Sequence, residues 1–253
     1  MGRITKISWT HRTWNPWRGC TKISPGCKNC YMFPGQLRCG YDPHKIVRSK
    51  TWDVPLRWQR EAAREGRRIL VFTCSWSDWF HEAADLWREE AWALIRKCPN
   101  LIFQILTKRP ERIPDNLPQD WGTGYDNVWL GVSVESNDFV WRVQLLKEVP
   151  AVLRFISAEP LLGPLSDLDL DGIRWLIVGG ESGAHFRPMQ LSWVRALRDM
   201  AAAQGVPFFF KQLAGPRPEI RGVLDGRIYK QFPEWANGVR ESAGEYHDLL
   251  GAR

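Results

Sequence analysis

The sequence predicts an α/β fold built as a partial or open (β/α) barrel of parallel strands, and three observations carry that prediction. Six short apolar runs rich in β-branched or aromatic residues read as buried strands: RILVFTC (68–74), LIFQILT (101–107), VWLGVSV (128–134), AVLRFIS (151–157), RWLIVGG (174–180) and VPFFFKQ (206–212). They recur at intervals of roughly 20–30 residues, the period of a strand followed by a crossover helix. The chain has 253 residues, close to the ~250 that one α/β barrel needs.

An earlier strand is expected within KISWTHRTWNP (6–16), immediately before a cysteine-rich loop. That makes seven candidates, one short of a closed eight-fold barrel, so the barrel is expected to stay open. The basic stretch RWQREAAREGRR (57–68) reads as the solvated face of a helix. SDWFHEAADLWREEAWALIRKC (77–98) predicts a helix capped by Ser77 or Asp78, with an apolar stripe through Trp87, Ala91, Leu94 and Cys98. NDFVWRVQLLKEV (137–149) and LSWVRALRDMAAAQG (191–205) predict two more, the second capped by Ser192 and ended by Gly205. In VLDGRIYKQF (223–232), Asp225-Gly226 reads as a tight hairpin turn. The organisation expected is a barrel over 1–212, its cysteine loop at 17–31, and an extension at 213–253 packed on the barrel, one domain overall.

Composition sets the class. The chain is 44% hydrophobic and 25% charged, and no run of about 18 apolar residues marks a membrane span. The start, MGRITKISWTHRTW, has no apolar signal core, so the expected location is cytoplasmic, where structural disulfides are rare. A formal charge of +7 suits a polyanionic partner such as nucleic acid, although no recognised DNA-binding motif accompanies it. Most of the fifteen tryptophans are expected in the core or in pocket walls, with some free to stack on a base.

Parallel α/β folds bind ligands at the carboxyl ends of their strands. Here those ends collect Cys74, Ser75 and Asp78; Thr107, Lys108 and Arg109; Ser133 and Glu135; Ser157 and Glu159; Gly179, Gly180 and Glu181; and Lys211 and Gln212. Charged residues abutting apolar runs at nearly every strand point to a site on this rim.

The loop GCTKISPGCKNC (19–30) places Cys20, Cys27 and Cys30 within eleven positions. A disulfide is disfavoured by the compartment, and a redox Cys-x-x-Cys pair by the strand count. Structural zinc wants four ligands, with Cys39, His11 or His44 as the fourth. A three-thiolate [4Fe–4S] cluster with one open iron is the other reading. Cys39, Cys74 and Cys98 are expected to pack, with Cys74 also placed to face the rim. Among His11, His44, His81 and His185, none has metal-ligand spacing with another, and His185 beside Glu181 is the best placed for proton transfer.

CTKISPGCKNCY after a strand, with GGE at 179–181, resembles the radical S-adenosylmethionine superfamily. WNPWRGCTKISPGCKNCY, ILTKRP, GVSVES, SAEPLLG and VGGESG together are similar to a phage-encoded branch of unknown function, over about residues 3–240. The first cysteine gap is six residues where the superfamily has three, and Gly-Gly-Glu follows a late strand. The resemblance implies that Cys20, Cys27 and Cys30 ligate the cluster, with Tyr31 covering it. It implies that Gly179, Gly180 and Glu181 hold the amino group of S-adenosylmethionine, a task Glu135 or Glu159 would also suit. Ser133 would bond the ribose, and Lys108, Arg109 or Lys211 would pair with the cofactor carboxylate or a substrate phosphate. Cys74, His185 and Glu159 are the catalytic candidates.

The function so implied is a radical enzyme forming a 5′-deoxyadenosyl radical, acting on a nucleic-acid base or nucleotide in phage DNA modification or repair. A flavodoxin- or ferredoxin-like electron donor would serve it. Two alternatives stand beside it: a zinc-stabilised, non-catalytic nucleic-acid-binding protein, and a cluster protein without cofactor cleavage.

Overall fold

The apolar runs become strands because their β-branched and aromatic side chains have partners on both faces of the sheet. The computed structural model describes residues 5–217 and 222–234. Its strands are β1 (Arg12–Trp14), β2 (Trp17–Arg18), β3 (Val47–Arg48), β4 (Ile69–Thr73), β5 (Leu101–Thr107), β6 (Val128–Ser133), β7 (Leu153–Ala158), β8 (Trp175–Gly179), β9 (Phe208–Gln212), β10 (Val223–Leu224) and β11 (Arg227–Ile228). Helices α1 (Met32–Arg38), α2 (Val54–Arg64), α3 (Asp85–Arg96), α4 (Trp141–Glu148) and α5 (Leu191–Ala203) lie between them.

Seven strands form one parallel sheet in the order β1-β4-β5-β6-β7-β8-β9. β1 and β9 stay at opposite edges, so the sheet is a curled, open half-barrel. β2 and β3 make a separate antiparallel pair that frames the cysteine loop after β1. β10 and β11 form the small carboxyl-terminal hairpin, with Asp225 at φ 52° and Gly226 at φ 75°, the two left-handed positions of a type I′ turn. Of the expected extension 213–253, residues 218–221 and 235–253 lie outside the described residues, as do residues 1–4.

Alternation along the strands separates two apolar clusters. Helix residues Trp58, Ala62, Ala91, Leu94, Val143, Leu146, Val194 and Leu197 join the larger one, which includes Val71, Phe103, Leu130, Ile156, Val178 and Phe210. The smaller one fills the concave face with Trp9, Phe72, Trp129, Phe155, Trp175 and Phe209, and takes in no helix residue. Gly131 is small for a reason: a Cβ there would lie 2.5 Å from the Phe155 ring. Aromatic packing therefore fills the lower part of the concave face and leaves polar residues at the strands' carboxyl ends.

The helices depart from expectation at their starts. α3 begins at Asp85, after a short 3-10 turn, and not at Ser77 or Asp78. The Asp78 carboxylate is engaged elsewhere, accepting from the Phe80 amide and from the Thr107 hydroxyl. A 3-10 turn also delays α4 to Trp141. α5 starts at Leu191 with no side-chain cap from Ser192, and Gly205 at φ 65° ends it as expected. The basic stretch does form a helix face, with Arg57, Arg60 and Arg64 exposed around buried Trp58 and Ala62.

His11 is a half-buried support of the β1–β4 seam. Its Nδ1 accepts the Leu70 amide at 2.9 Å. Burial, reinforced by Arg67 and Arg12, lowers its pKa to about 4. The native state thus holds a neutral ring, while the unfolded chain takes up a proton near pH 6.5. This contribution is complete above that pH and is lost as pH falls toward 4. The urea unfolding free energy is expected to drop by on the order of 2–3 kcal/mol over that window from this ring. His11→Asn, which keeps an acceptor but does not titrate, is expected to flatten the dependence; an unchanged slope would contradict the assignment.

Candidate functional site

Period-two alternation that puts aromatic residues low on the concave face puts polar residues at its mouth. β6 runs Trp129, Gly131, Ser133 and on to Glu135; β7 runs Leu153, Phe155, Ser157 and on to Glu159, with Ser133 directly beside Ser157 in register. β8 carries Ile177 and Gly179 toward Glu181, β5 carries Gln104 and Leu106 toward Lys108, and β9 carries Phe209 to Lys211. Nearly every rim residue expected from the sequence converges on this mouth.

Each carboxylate there has its own cation. Glu135 is fully buried, accepting from Arg142 Nη1 at 2.8 Å and from the Ser24 hydroxyl at 2.6 Å, with Lys108 Nζ at 3.4 Å. Glu159 accepts from Lys211 Nζ at 2.9 Å and from the Ser157 hydroxyl at 3.1 Å. Glu181 receives Arg187 through both Nη2 and Nε, and Asn29 Nδ2 at 3.0 Å. Burial opposes its ionisation, yet the Arg187 and Asn29 hydrogen bonds hold its pKa below the usual carboxylate range. Asp78 pairs with Arg109 at 3.2 Å.

These pairs also fasten the cysteine loop across the mouth. Arg109 Nη2 donates to the Thr21 hydroxyl, Ser24 to Glu135, Asn29 to Glu181, Arg187 to the Pro25 carbonyl, and the Tyr31 hydroxyl to the Ser75 carbonyl. The loop is thus tied to segments following β4, β5, β6 and β8. Tyr31 itself is 51% exposed.

Three glycines permit the close approach. A Cβ on Gly26 would lie 2.3 Å from Glu135 Oε1, one on Gly179 2.4 Å from Glu159 Oε1, and one on Gly180 2.2 Å from the Ala214 amide. Packing alone accounts for the Gly179-Gly180 pair.

The cysteines answer differently from expectation. Cys20 Sγ faces the Thr21 carbonyl and Arg109, and Cys27 Sγ lies 3.7 Å from the Ser24 hydroxyl. Burial, with Asp78 adding to it, raises the Cys20 pKa to about 12, and burial raises that of Cys30 as well. The candidate fourth zinc ligands lie apart: Cys39 is exposed, His44 packs on Phe33 and His11 supports the β1–β4 seam. Among the described residues, no group of three or more His, Cys, Asp and Glu side chains is placed to hold a metal ion. The expected [4Fe–4S] cluster on Cys20, Cys27 and Cys30, the zinc clamp, and the S-adenosylmethionine site that depended on the open iron are corrected by this placement.

Cys74 sits in the larger core cluster at φ 57°, its amide bonded to the Trp14 carbonyl, and burial drives its thiol pKa well up. His185 is exposed and contributes its carbonyl to Asn29. Cys98 is core, as expected. Sequence reasoning passed over Ser24, Asn29, Arg142 and Arg187, which complete the ion-pair array. No motif marks them. Arg142 lies on a helix seven residues beyond Glu135, and Arg187 in an irregular segment six beyond Glu181.

A concavity of about 540 Å³ lies away from the mouth, between α5 and β9, lined by Arg198, Phe208, Tyr229 and Phe232 among others.

The fold and site define an open parallel half-barrel whose mouth is an array of ion pairs beneath a strapped loop. Residues 4–233 match the family described as "Protein of unknown function (DUF5131)", and the chain belongs to that family. No curated protein matches it. The resemblance to the radical S-adenosylmethionine superfamily, and with it the expected radical enzyme and phage DNA-modification role, gives way to this membership and to the placement of the cysteines.

Glu135→Ala leaves Arg142 buried without its carboxylate, and a loss of about 3–5 kcal/mol in urea unfolding is expected. Gly26→Ala is expected to cost about 1–3 kcal/mol through the forced displacement of Glu135. Two near-neutral variants would show that the loop is not anchored there.

Proposed function

We propose that the protein binds single-stranded nucleic acid across the mouth of the half-barrel. One observation carries this reading. Among the described residues, the exposed large aromatic side chains are Tyr31, Tyr41, Trp141 and Phe186; Tyr31, Trp141 and Phe186 lie on segments that follow β2, β6 and β8, and Tyr41, just after α1, stacks with Arg18 of β2. The other described tryptophans are buried or half-buried, so Trp141 is a departure from their pattern.

Exposed rings beside cations are the parts a single strand needs: faces on which unpaired bases stack, and positive charge that follows the phosphates. Lys22 and Lys28 are exposed on the cysteine loop, and Lys108, Arg187 and Lys211 are part-exposed at the mouth. Arg18 lies 3.7 Å over the Tyr41 ring, combining both chemistries in one place. The formal charge of +7 favours the same class of partner. A duplex hides its base faces, so the rings favour an unpaired strand.

No described helix is long and apolar enough to cross a membrane. Its described cysteines are all free thiols, which suits action in the cytoplasm, where single-stranded nucleic acid is available. An electron donor would serve only a cluster, and among the described residues no group of side chains is placed to hold one.

Fluorescence anisotropy with a labelled single-stranded 12-mer tests the reading. Binding is expected to weaken with salt, with a negative log–log slope, and to fall about ten-fold in Trp141→Ala, within the range of one lost base–aromatic stack. The matching duplex is expected to bind more weakly. Absence of binding at 50 mM salt, or binding with no salt dependence, would overturn it.

A further inference from the structure

The Lys211–Glu159 pair presents an ordered row of polar atoms at the mouth. Lys211 Nζ is a donor, and 2.9 Å away Glu159 Oε1 is an acceptor. Oε2 of the same carboxylate is a second acceptor, oriented by the Ser157 hydroxyl that donates to it at 3.1 Å. Gly179 lets the carboxylate lie directly against the β8 backbone, since a Cβ there would fall 2.4 Å from Oε1, and so holds it in place. The side chains are 21% and 14% exposed, enough for a ligand edge to reach them without dissolving the pair in solvent. Glu135, by contrast, is sealed by Arg142 and Ser24 and offers nothing outward.

We infer that this pair reads the Watson–Crick edge of an unpaired guanine, an inference that rests on the single-strand reading above. The row donor–acceptor–acceptor repeats the pattern of cytosine's own pairing edge. Guanine answers it with O6 as acceptor and N1–H and N2–H₂ as donors, so the carboxylate takes two hydrogen bonds and the ammonium gives one. Adenine and cytosine set an amino group against the ammonium, donor facing donor. Thymine and uracil satisfy the first two positions and then face Oε2 with a carbonyl oxygen. Only guanine among the common bases satisfies all three atoms, and a base placed wrongly leaves polar groups of the mouth unpaired. Tyr31 lies close enough for the Glu159 charge to bear on its phenol, and its exposed side chain supplies the neighbouring surface on which the base would stack.

The test uses the full chain and four 12-mers of thymidine that differ only at one central position: guanine, cytosine, adenine or thymine. Direct anisotropy titration is expected to show the guanine strand binding about ten-fold tighter, in line with the discrimination a bidentate base contact supplies. Glu159→Gln is expected to bring the guanine strand down to the level of the other three, and Lys211→Met to reduce its advantage. Circular dichroism on both variants establishes that they fold. Four strands bound with equal affinity by the wild type would overturn guanine recognition and leave the single-strand reading standing. Failure to bind any strand would remove the single-strand reading and guanine recognition with it. A guanine preference that survives Glu159→Gln would overturn the assignment of these two residues.

Discussion

Much of this molecule depends on one buried carboxylate. Glu135 has no exposed surface, and it meets Arg142 from α4, Ser24 from the cysteine loop and Lys108 from the end of β5. Removing a charge from water costs several kcal/mol, and only paired charges with good hydrogen bonds persist there. Satisfying Glu135 therefore fixes three separate segments at once. The loop must come within reach, which is why Gly26 lies where no side chain fits. Helix α4 must present Arg142 inward, although its first residue, Trp141, is turned to solvent.

The same logic is repeated around the mouth with less burial. Asp78 with Arg109, Glu159 with Lys211 and Glu181 with Arg187 each pair a strand-end carboxylate with a cation from elsewhere in the chain. Such an array is rigid before any ligand arrives, and it is electrically balanced at short range. The pairs differ in what they leave available. Asp78 and Glu135 are spent on holding the loop, and Glu181 holds it through Asn29 and Arg187. Among the described residues, Glu159 is paired with Lys211 and Ser157 and with no residue of the loop.

The half-barrel was legible because its signal is local. Strands β4 to β9 are short apolar runs, and period two along β6, β7 and β9 carries the same alternation to Ser133, Glu135, Ser157, Glu159 and Lys211. The mouth could thus be read before its contents could. Arg142, Arg187, Ser24 and Asn29 were not legible, because each meets its carboxylate through tertiary packing that no spacing encodes. The helix start at Asp85 was missed for the same reason: Asp78 resembles a cap in sequence but is claimed by Thr107 and Arg109 in space. The cysteine loop misled in the opposite way. Three cysteines within eleven positions suggest a metal, yet among the described residues no group of three or more His, Cys, Asp and Glu side chains is placed to hold one, and the loop is tied across the mouth by Thr21, Ser24, Asn29 and Tyr31. The Gly179-Gly180 pair likewise answers to Glu159 and Ala214.

Exposed aromatic residues and part-exposed cations are the features on which single-strand binding would depend. The most direct check is ultraviolet cross-linking of the full chain to a single strand carrying 5-bromouracil, followed by mass-spectrometric mapping of the attached peptides. Cross-links are expected at Tyr31, Tyr41, Trp141 and Phe186, on three separate segments of the chain. Cross-links confined to the concavity between α5 and β9, around Phe208 and Tyr229, would place the nucleic acid elsewhere and contradict binding at the mouth.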